Sequence, residues 1–278
     1  QLNGLPKLRY IVTQSTGYDH VDIKECKKRR IHVYNIPDYG TETVAEYTIL
    51  LMLALLRKFK LSQVILQSSI ELCDMRKIRG NELNSRVLGV IGVGRIGSNV
   101  IKIAHAIGMK IIAYNRSPVQ ELSRDYGVVF VSLEDLLRKA DIITLHLPLT
   151  KYTYHLIDKK AISKMKNGVI IINTARGGII DTSALLEGLK SGKIAGAGLD
   201  VLEEECFIKE EKQILSKHFL KECDLRTVLQ NHILLKQDNV IITPHNAFNS
   251  WEALHRILDT TILNINSFLK KKPINVIK

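Results

Sequence analysis

Nine short runs of apolar, mostly β-branched residues recur along the chain, at 8–14, 31–34, 87–93, 110–115, 128–131, 142–147, 169–174, 197–202 and 240–243. Most are continuous rather than alternating, the pattern of strands buried on both faces of a parallel sheet. Helical segments with cap residues lie between them. The segment 97–106 ends at Gly108, Ser132 is placed to cap a helix over 133–140, and Asp181 is placed to cap 182–191, which stops at Gly192. Strands alternating with helices predict an α/β fold on a doubly wound parallel sheet. Residues 43–60 read as one long apolar helix without a turn signal, too hydrophobic to lie exposed, and suited to a domain link or a subunit interface. A last helix is expected from about Ser250 to Lys271, with Asn249 and Glu252 at capping-box spacing. The stretch 206–237 is polar and charged and reads as a helical insertion.

Composition narrows the class. A chain of 278 residues accommodates two domains. The longest apolar run, 49–56, falls far short of the roughly 20 residues a membrane helix needs. No signal-peptide pattern opens the sequence, so a cytoplasmic protein with no membrane partner is expected. The net charge of +12 raises the question of nucleic acid, but the basic residues are dispersed. The short clusters at 27–30 and 270–272 contain no interleaved aromatics, which argues against a nucleic-acid partner. Cys26, Cys73, Cys206 and Cys223 have no CxxC spacing, which implies reduced thiols and no metal site.

The first chemical signal is Val87-Leu-Gly-Val-Ile-Gly92-Val-Gly94-Arg-Ile-Gly97, a strand running through Gly-x-Gly-x-x-Gly into a helix. In that context Gly92 permits a tight turn, Gly94 admits a pyrophosphate to the backbone, and Gly97 lets helix and strand pack closely. The helix N-terminus offers free N–H groups to the phosphates. The next strand ends at Asn115, where an NAD-preferring site would carry Asp or Glu, and Arg116 and Ser117 follow. Asn does not repel a 2′-phosphate and Arg116 can pair with one, so NADP(H) is favoured, with NAD(H) as the alternative.

Three later segments place polar residues at strand ends: Asn173-Thr-Ala-Arg176-Gly-Gly, Gly198-Leu-Asp200-Val-Leu-Glu-Glu-Glu205, and Thr243-Pro-His245-Asn-Ala. An arginine can grip a substrate carboxylate and polarise a carbonyl. A histidine can exchange the proton of an oxygen near neutral pH, and a carboxylate can orient it. Together they suit hydride transfer to C2 of a small 2-oxo acid.

With these motifs, with Asp141-Ile-Ile-Thr-Leu-His-Leu-Pro-Leu-Thr-Lys-Tyr-Thr-Tyr-His-Leu-Ile157, and with Met165-Lys-Asn-Gly through Asp181, the sequence resembles the D-isomer-specific 2-hydroxyacid dehydrogenases. The likeness covers nearly the whole chain and is nearest to the D-lactate dehydrogenase-like members. The resemblance implies Arg176 as substrate-binding arginine, Glu205 as carboxylate partner and His245 as acid/base. Glu205 rather than Glu203 or Glu204 ends the family's Asp-Val-x-x-x-Glu pattern, which starts at Asp200. Asp200 itself would face the nicotinamide carboxamide. Arg95 and Ile96 would lie on the pyrophosphate, and Leu147, Pro148, Thr153, Thr174 and Ala175 would line the rest of the cofactor cleft. Thr16 and Gly17 would offer backbone N–H groups to the substrate carboxylate, with Tyr39 on the substrate side.

The same resemblance divides the chain into a cofactor domain at 79–245 and a discontinuous, flavodoxin-like substrate domain at 1–78 and 246–278. The chain enters at what resembles the middle of that substrate domain, so its first two or three strands are expected to be absent. A homodimer through 43–60 is expected. Glyoxylate or hydroxypyruvate reduction, and a cofactor-sensing corepressor-like role, are the alternative functions.

Overall fold

The computed structural model describes residues 4–18, 21–67, 75–204 and 224–277. Two compact units divide the chain, residues 44–247 and residues 1–43 with 248–278.

The larger unit holds a seven-stranded sheet of β3 (Val87–Ile91), β4 (Lys110–Tyr114), β5 (Val129–Phe130), β6 (Ile142–Leu145), β7 (Val169–Asn173), β8 (Ile194–Leu199) and β9 (Val240–Ile242). All pairings are parallel, in the order β5-β4-β3-β6-β7-β8-β9, so the winding reverses between β3 and β6. Successive residues serve opposite faces. Ile170 and Ile172 of β7 join the core with Leu88 and Val90, whereas Val169 and Ile171 join that with Ile143 and Leu145. Burial on both faces explains why the strands are continuous apolar runs.

One face is covered by α2 (Thr41–Leu56), α4 (Arg95–Ile107) and α5 (Gln120–Tyr126). The other is covered by α6 (Leu133–Lys139), α7 (Lys159–Lys164), α8 (Thr182–Lys190) and α9 (Leu225–Leu235). The caps lie where the sequence placed them. Ser132 accepts from Asp135 N–H at 3.1 Å, and Asp181 from Ser183 and Ala184 N–H at 2.9 and 3.1 Å. Gly108 ends α4 in the left-handed conformation.

Three expectations need correction. The apolar stretch 43–60 is not one helix: α2 ends at Leu56 and α3 spans Phe59–Gln67. Lys58 turns the chain in the left-handed region (φ 51). Asn81 donates its N–H to the Leu56 carbonyl at 3.0 Å, and Lys58 Nζ donates to the Lys77 carbonyl at 2.9 Å. Tertiary partners thus cap the helix where no local signal does. The unit boundary also falls at 43/44 rather than 78/79, because Ala45, Ile49, Met52 and Leu56 of α2 share a core with β3 and α4. The last helix, α10 (Trp251–Leu269), is capped by Ser250 rather than Asn249, its side chain accepting from Ala253 N–H at 3.2 Å. Of the expected insertion 206–237, residues up to 223 lie outside the described residues, and α9 follows.

The smaller unit contains β1 (Tyr10–Val12) paired in parallel with β2 (His32–Tyr34), α1 (Ile23–Lys28) and α10. Tyr34 bridges antiparallel to Val276, and Phe268 of α10 packs on Tyr10 with ring centroids 4.1 Å apart. It is a second α/β unit.

Candidate active site

The glycine loop leaves β3 and enters α4 directly. Gly92 has φ +93, and a Cβ there would lie 2.6 Å from the His146 carbonyl oxygen. A Cβ on Gly97 would lie 2.2 Å from the Gly92 carbonyl, so helix and loop touch backbone to backbone. Gly94, by contrast, faces open space and caps α4 without any side-chain hydrogen bond. An uncapped helix N-terminus with unobstructed backbone before it fits a dinucleotide pyrophosphate. Gly97→Ala is expected to destabilise the unit by about 1–3 kcal/mol through overpacking and to weaken cofactor binding. Thermal melts with and without reduced cofactor measure both effects.

Asn115 has a role beyond the one its position suggested. Its Oδ1 accepts from Val93 N–H at 3.2 Å and its Nδ2 donates to the Ser117 carbonyl at 2.9 Å, so it braces the glycine loop. Arg116 and Ser117 lie exposed beside it, and Arg116 has no hydrogen-bond or ion-pair partner among the described residues. Arg95 starts α4 in an exposed position, with Ile96 half-buried behind it.

Across the winding reversal, β6 is followed by His146, whose Nε2 shares a hydrogen bond with the Thr144 hydroxyl at 2.9 Å. Burial pushes its imidazole down to about 3. Some solvent access at the residue tempers the effect, and its direction is set by desolvation. The folded pKa is below the unfolded value, so this residue's contribution to stability is present above about pH 6.5 and is lost as pH falls toward 3. The apo protein is therefore expected to have a lower denaturant midpoint at pH 5 than at pH 7, and His146→Asn to reduce that difference. Downstream, Leu147 packs on the core, and Thr153 organises the turn by donating to the Pro148 carbonyl at 2.6 Å and accepting from Thr150 N–H at 2.8 Å.

The three sequence segments with polar strand ends follow β7, β8 and β9, which are neighbours in the sheet. After β7, the buried Asn173 accepts from Ala175 N–H at 3.0 Å and donates to the Arg176 carbonyl at 2.9 Å, fixing the turn that presents Arg176. Thr174 shares a hydrogen bond with Thr48 of α2 at 3.0 Å. The Arg176 guanidinium, half-buried, donates to the Ala175 carbonyl at 2.7 Å. A Cβ on Gly177 would come within 1.9 Å of the Leu202 carbonyl, so only glycine lets this turn lie against the one following β8.

Asp200, 1% exposed, is the junction of the site. Its N–H donates to the Asn173 carbonyl at 2.9 Å. Its carboxylate accepts from the Thr243 hydroxyl at 2.5 Å and from the N–H groups of Asn246 and Ala247 at 2.8 and 2.9 Å. His245 donates its N–H to the Asp200 carbonyl at 2.9 Å and has φ 52. The carboxylate contacts of Asp200 hold the loop that carries His245.

Glu205 lies outside the described residues. Glu203 is committed elsewhere, with its carboxylate on His155, Thr182 and Tyr154. In the smaller unit, Thr16 donates its hydroxyl to the Ile36 carbonyl at 2.7 Å, and the N–H groups of Thr16 and Gly17 have no partner among the described residues. Tyr39 meets Phe248 edge-on at 6.0 Å. Sequence reasoning missed Asn173, Thr243 and Thr48 as site-building residues; the first two lie inside quoted motifs, whereas Thr48 carries no signal of its own. Among the described residues no helix is long and apolar enough to cross a membrane, and no cluster of His, Cys, Asp and Glu could hold a metal.

The family model described as "D-isomer specific 2-hydroxyacid dehydrogenase, NAD binding domain" matches residues 49–247. A glyoxylate reductase of Thermococcus litoralis is 36% identical, over 97% of this chain and 76% of its own length. An aromatic 2-oxoacid reductase of Clostridium sporogenes is 40% identical, over 94% and 76%. The crystal structure of a D-lactate dehydrogenase from Aquifex aeolicus, complexed with NAD and lactic acid, superposes with a TM-score of 0.85 at 40% identity, covering 98% of this chain and 79% of that one. A Rossmann-type NAD(P)-binding unit and a second α/β unit, matched over this length, establish that the chain belongs to the D-isomer-specific 2-hydroxyacid dehydrogenase family.

Proposed function

We propose that this chain interconverts a small 2-oxo acid and its D-2-hydroxy acid by hydride transfer with NADP(H). The activity class, NAD(P)-dependent 2-hydroxyacid dehydrogenase, follows from the family. The observation that carries the residue assignment is the Asp200 junction, which ties the end of β8 to the loop bearing His245 beside the turn bearing Arg176.

In the reductive direction Arg176 holds the substrate carboxylate and draws charge from the carbonyl. His245, protonated and paired with Glu205, gives a proton to the carbonyl oxygen at C2. In the oxidative direction neutral His245 takes that proton back. The glycine loop and the uncapped N-terminus of α4 would hold the cofactor pyrophosphate. The reduced nicotinamide supplies the hydride when bound. Thr16, Gly17 and Tyr39 form the substrate-side contacts of this reading.

NADP(H) is favoured because Asn115 is neutral and turned onto the glycine loop, leaving the exposed Arg116 beside it for a 2′-phosphate. Arg116→Ala is expected to raise KM for NADPH about tenfold, the loss of a charge-assisted contact, and to leave KM for NADH unchanged. Steady-state kinetics with both cofactors decide it, and a wild-type preference for NADH would remove this part. Assays over pyruvate, glyoxylate, hydroxypyruvate and longer 2-oxo acids test the reaction. Glyoxylate belongs in the series because similar proteins are named glyoxylate reductases. The reading includes a homodimer through residues 43–60, where Leu50, Leu53 and Phe59 are exposed. A monomer in sedimentation would remove that component.

A further inference from the structure

Glu203 belongs to neither the cofactor loop nor the proposed catalytic set, yet its carboxylate is 12% exposed and surrounded by donors. Oε1 lies 2.5 Å from His155 Nε2 and 3.4 Å from the Tyr154 hydroxyl. Oε2 accepts from the Thr182 hydroxyl at 2.8 Å and from Thr182 N–H at 3.3 Å. Its backbone carbonyl accepts from Asn231 Nδ2 at 2.8 Å. A charge buried to this extent costs free energy unless its lone pairs are satisfied, and here they are.

What the carboxylate joins gives it a purpose. Residues 155–157 run parallel to 178–181 as a short ladder: His155 N–H donates to the Gly178 carbonyl, Ile157 N–H to Ile179, and Asp181 N–H to Ile157, at 2.9, 3.0 and 3.1 Å. His155 stands at one end of that ladder and Thr182, the first residue of α8, at the other. One carboxylate therefore clasps both ends. Arg176 lies immediately before the ladder, and Gly177 is pressed against Leu202, the residue before Glu203.

We propose that Glu203 is a positioning residue for Arg176, clasping the connection between β7 and α8 so that the guanidinium is presented in one place. It rests on the assignment of Arg176 as the substrate-binding group. A displacement of about 1 Å at such a group is enough to cost substantial activity.

The test compares Glu203→Ala and Glu203→Gln in the wild-type and Arg176→Lys backgrounds, with pyruvate or the best 2-oxo acid. Glu203→Ala is expected to raise KM for the 2-oxo acid about tenfold, with cofactor affinity and the pH dependence of kcat unchanged. Glu203→Gln, which keeps an oxygen to accept from Thr182 and turns its amide NH₂ to His155, whose ring can accept in its other tautomer, is expected to recover most of the loss. In the Arg176→Lys background the penalty is expected to shrink, as it must if the two residues act as one unit. An unchanged KM, equal losses in both backgrounds, or a shifted pH profile (which would assign the effect to His245 and its partner) overturns the proposal. Should Glu203→Ala fold poorly, Thr182→Val removes one arm of the clasp, and a KM that does not rise in that variant is equally fatal. If the wild type binds cofactor but reduces no 2-oxo acid, the functional reading fails. The clasp is then judged by amide hydrogen exchange of residues 177–182, expected to be faster in Glu203→Ala or Thr182→Val than in wild type and disproved if unchanged.

Discussion

Arg176→Ala is expected to abolish measurable 2-oxo acid reduction, lowering kcat/KM by about a thousandfold or more while leaving cofactor binding intact. Two losses combine. The substrate carboxylate forfeits a charge-assisted grip worth about 1.5–3 kcal/mol. Removing a donor that stabilises charge developing on the carbonyl costs a further factor of about 10²–10³. The Arg176 backbone is fixed independently, by Asn173 Nδ2 on its carbonyl and by the contact of Gly177 with Leu202, so the truncation leaves the turn in place. Reduced-cofactor consumption across a 2-oxo acid series, with cofactor titration as control, measures the effect. Retained turnover would show that the substrate is held by other residues.

Asp200→Ala is expected to lose both stability and activity. The carboxylate is 1% exposed and accepts from the Thr243 hydroxyl and from two backbone N–H groups. Without it three donors lose their acceptor, each costing about 1–3 kcal/mol where buried. Thr243 and Asn246 are only half-buried, so a total toward the lower end of the sum, about 3–5 kcal/mol, is expected. Denaturant unfolding reads that cost directly. Activity should fall as well, because the lost carboxylate braces the 243–247 loop on both sides of His245, at the Thr243 hydroxyl and at the N–H groups of Asn246 and Ala247. Asp200→Asn separates the two effects. An amide oxygen can still accept from one or two donors, but its NH₂ must face another, so Asn is expected to regain part of the stability and less of the activity. An Asp200→Ala protein as stable as wild type would contradict the role drawn from these contacts.

Much of the architecture was legible without coordinates. Continuous β-branched runs are a direct record of burial on both faces, and each predicted run overlaps a strand of the structure, although β8 starts at Ile194, three residues before the run at 197–202. The caps at Ser132 and Asp181 were readable because capping is a contact over two or three residues, written in the local sequence. The glycine fingerprint was readable for a similar reason: only glycine tolerates the backbone approaches at Gly92 and Gly97. Arg176 and His245 were legible as residue types placed at the ends of strands.

Other features are decided by residues distant in sequence. The break between α2 and α3 carries no local signal, since Leu-Leu-Arg-Lys-Phe is compatible with continuing a helix; Asn81 and Lys77 impose it from another part of the chain. Placement of the unit boundary at 43/44 follows from which core α2 joins, a matter of packing rather than periodicity. The choice among three consecutive glutamates was narrowed in the same way, because Glu203 is taken by His155 and Thr182, 48 and 21 residues away. The sequence alone thus determined the fold class, the cofactor loop and the chemistry on offer, since periodicity, capping and glycine requirements are local. Tertiary structure decided what holds that chemistry in place. The donors that satisfy Asp200, Glu203 and the end of α2 come from segments that only folding brings together.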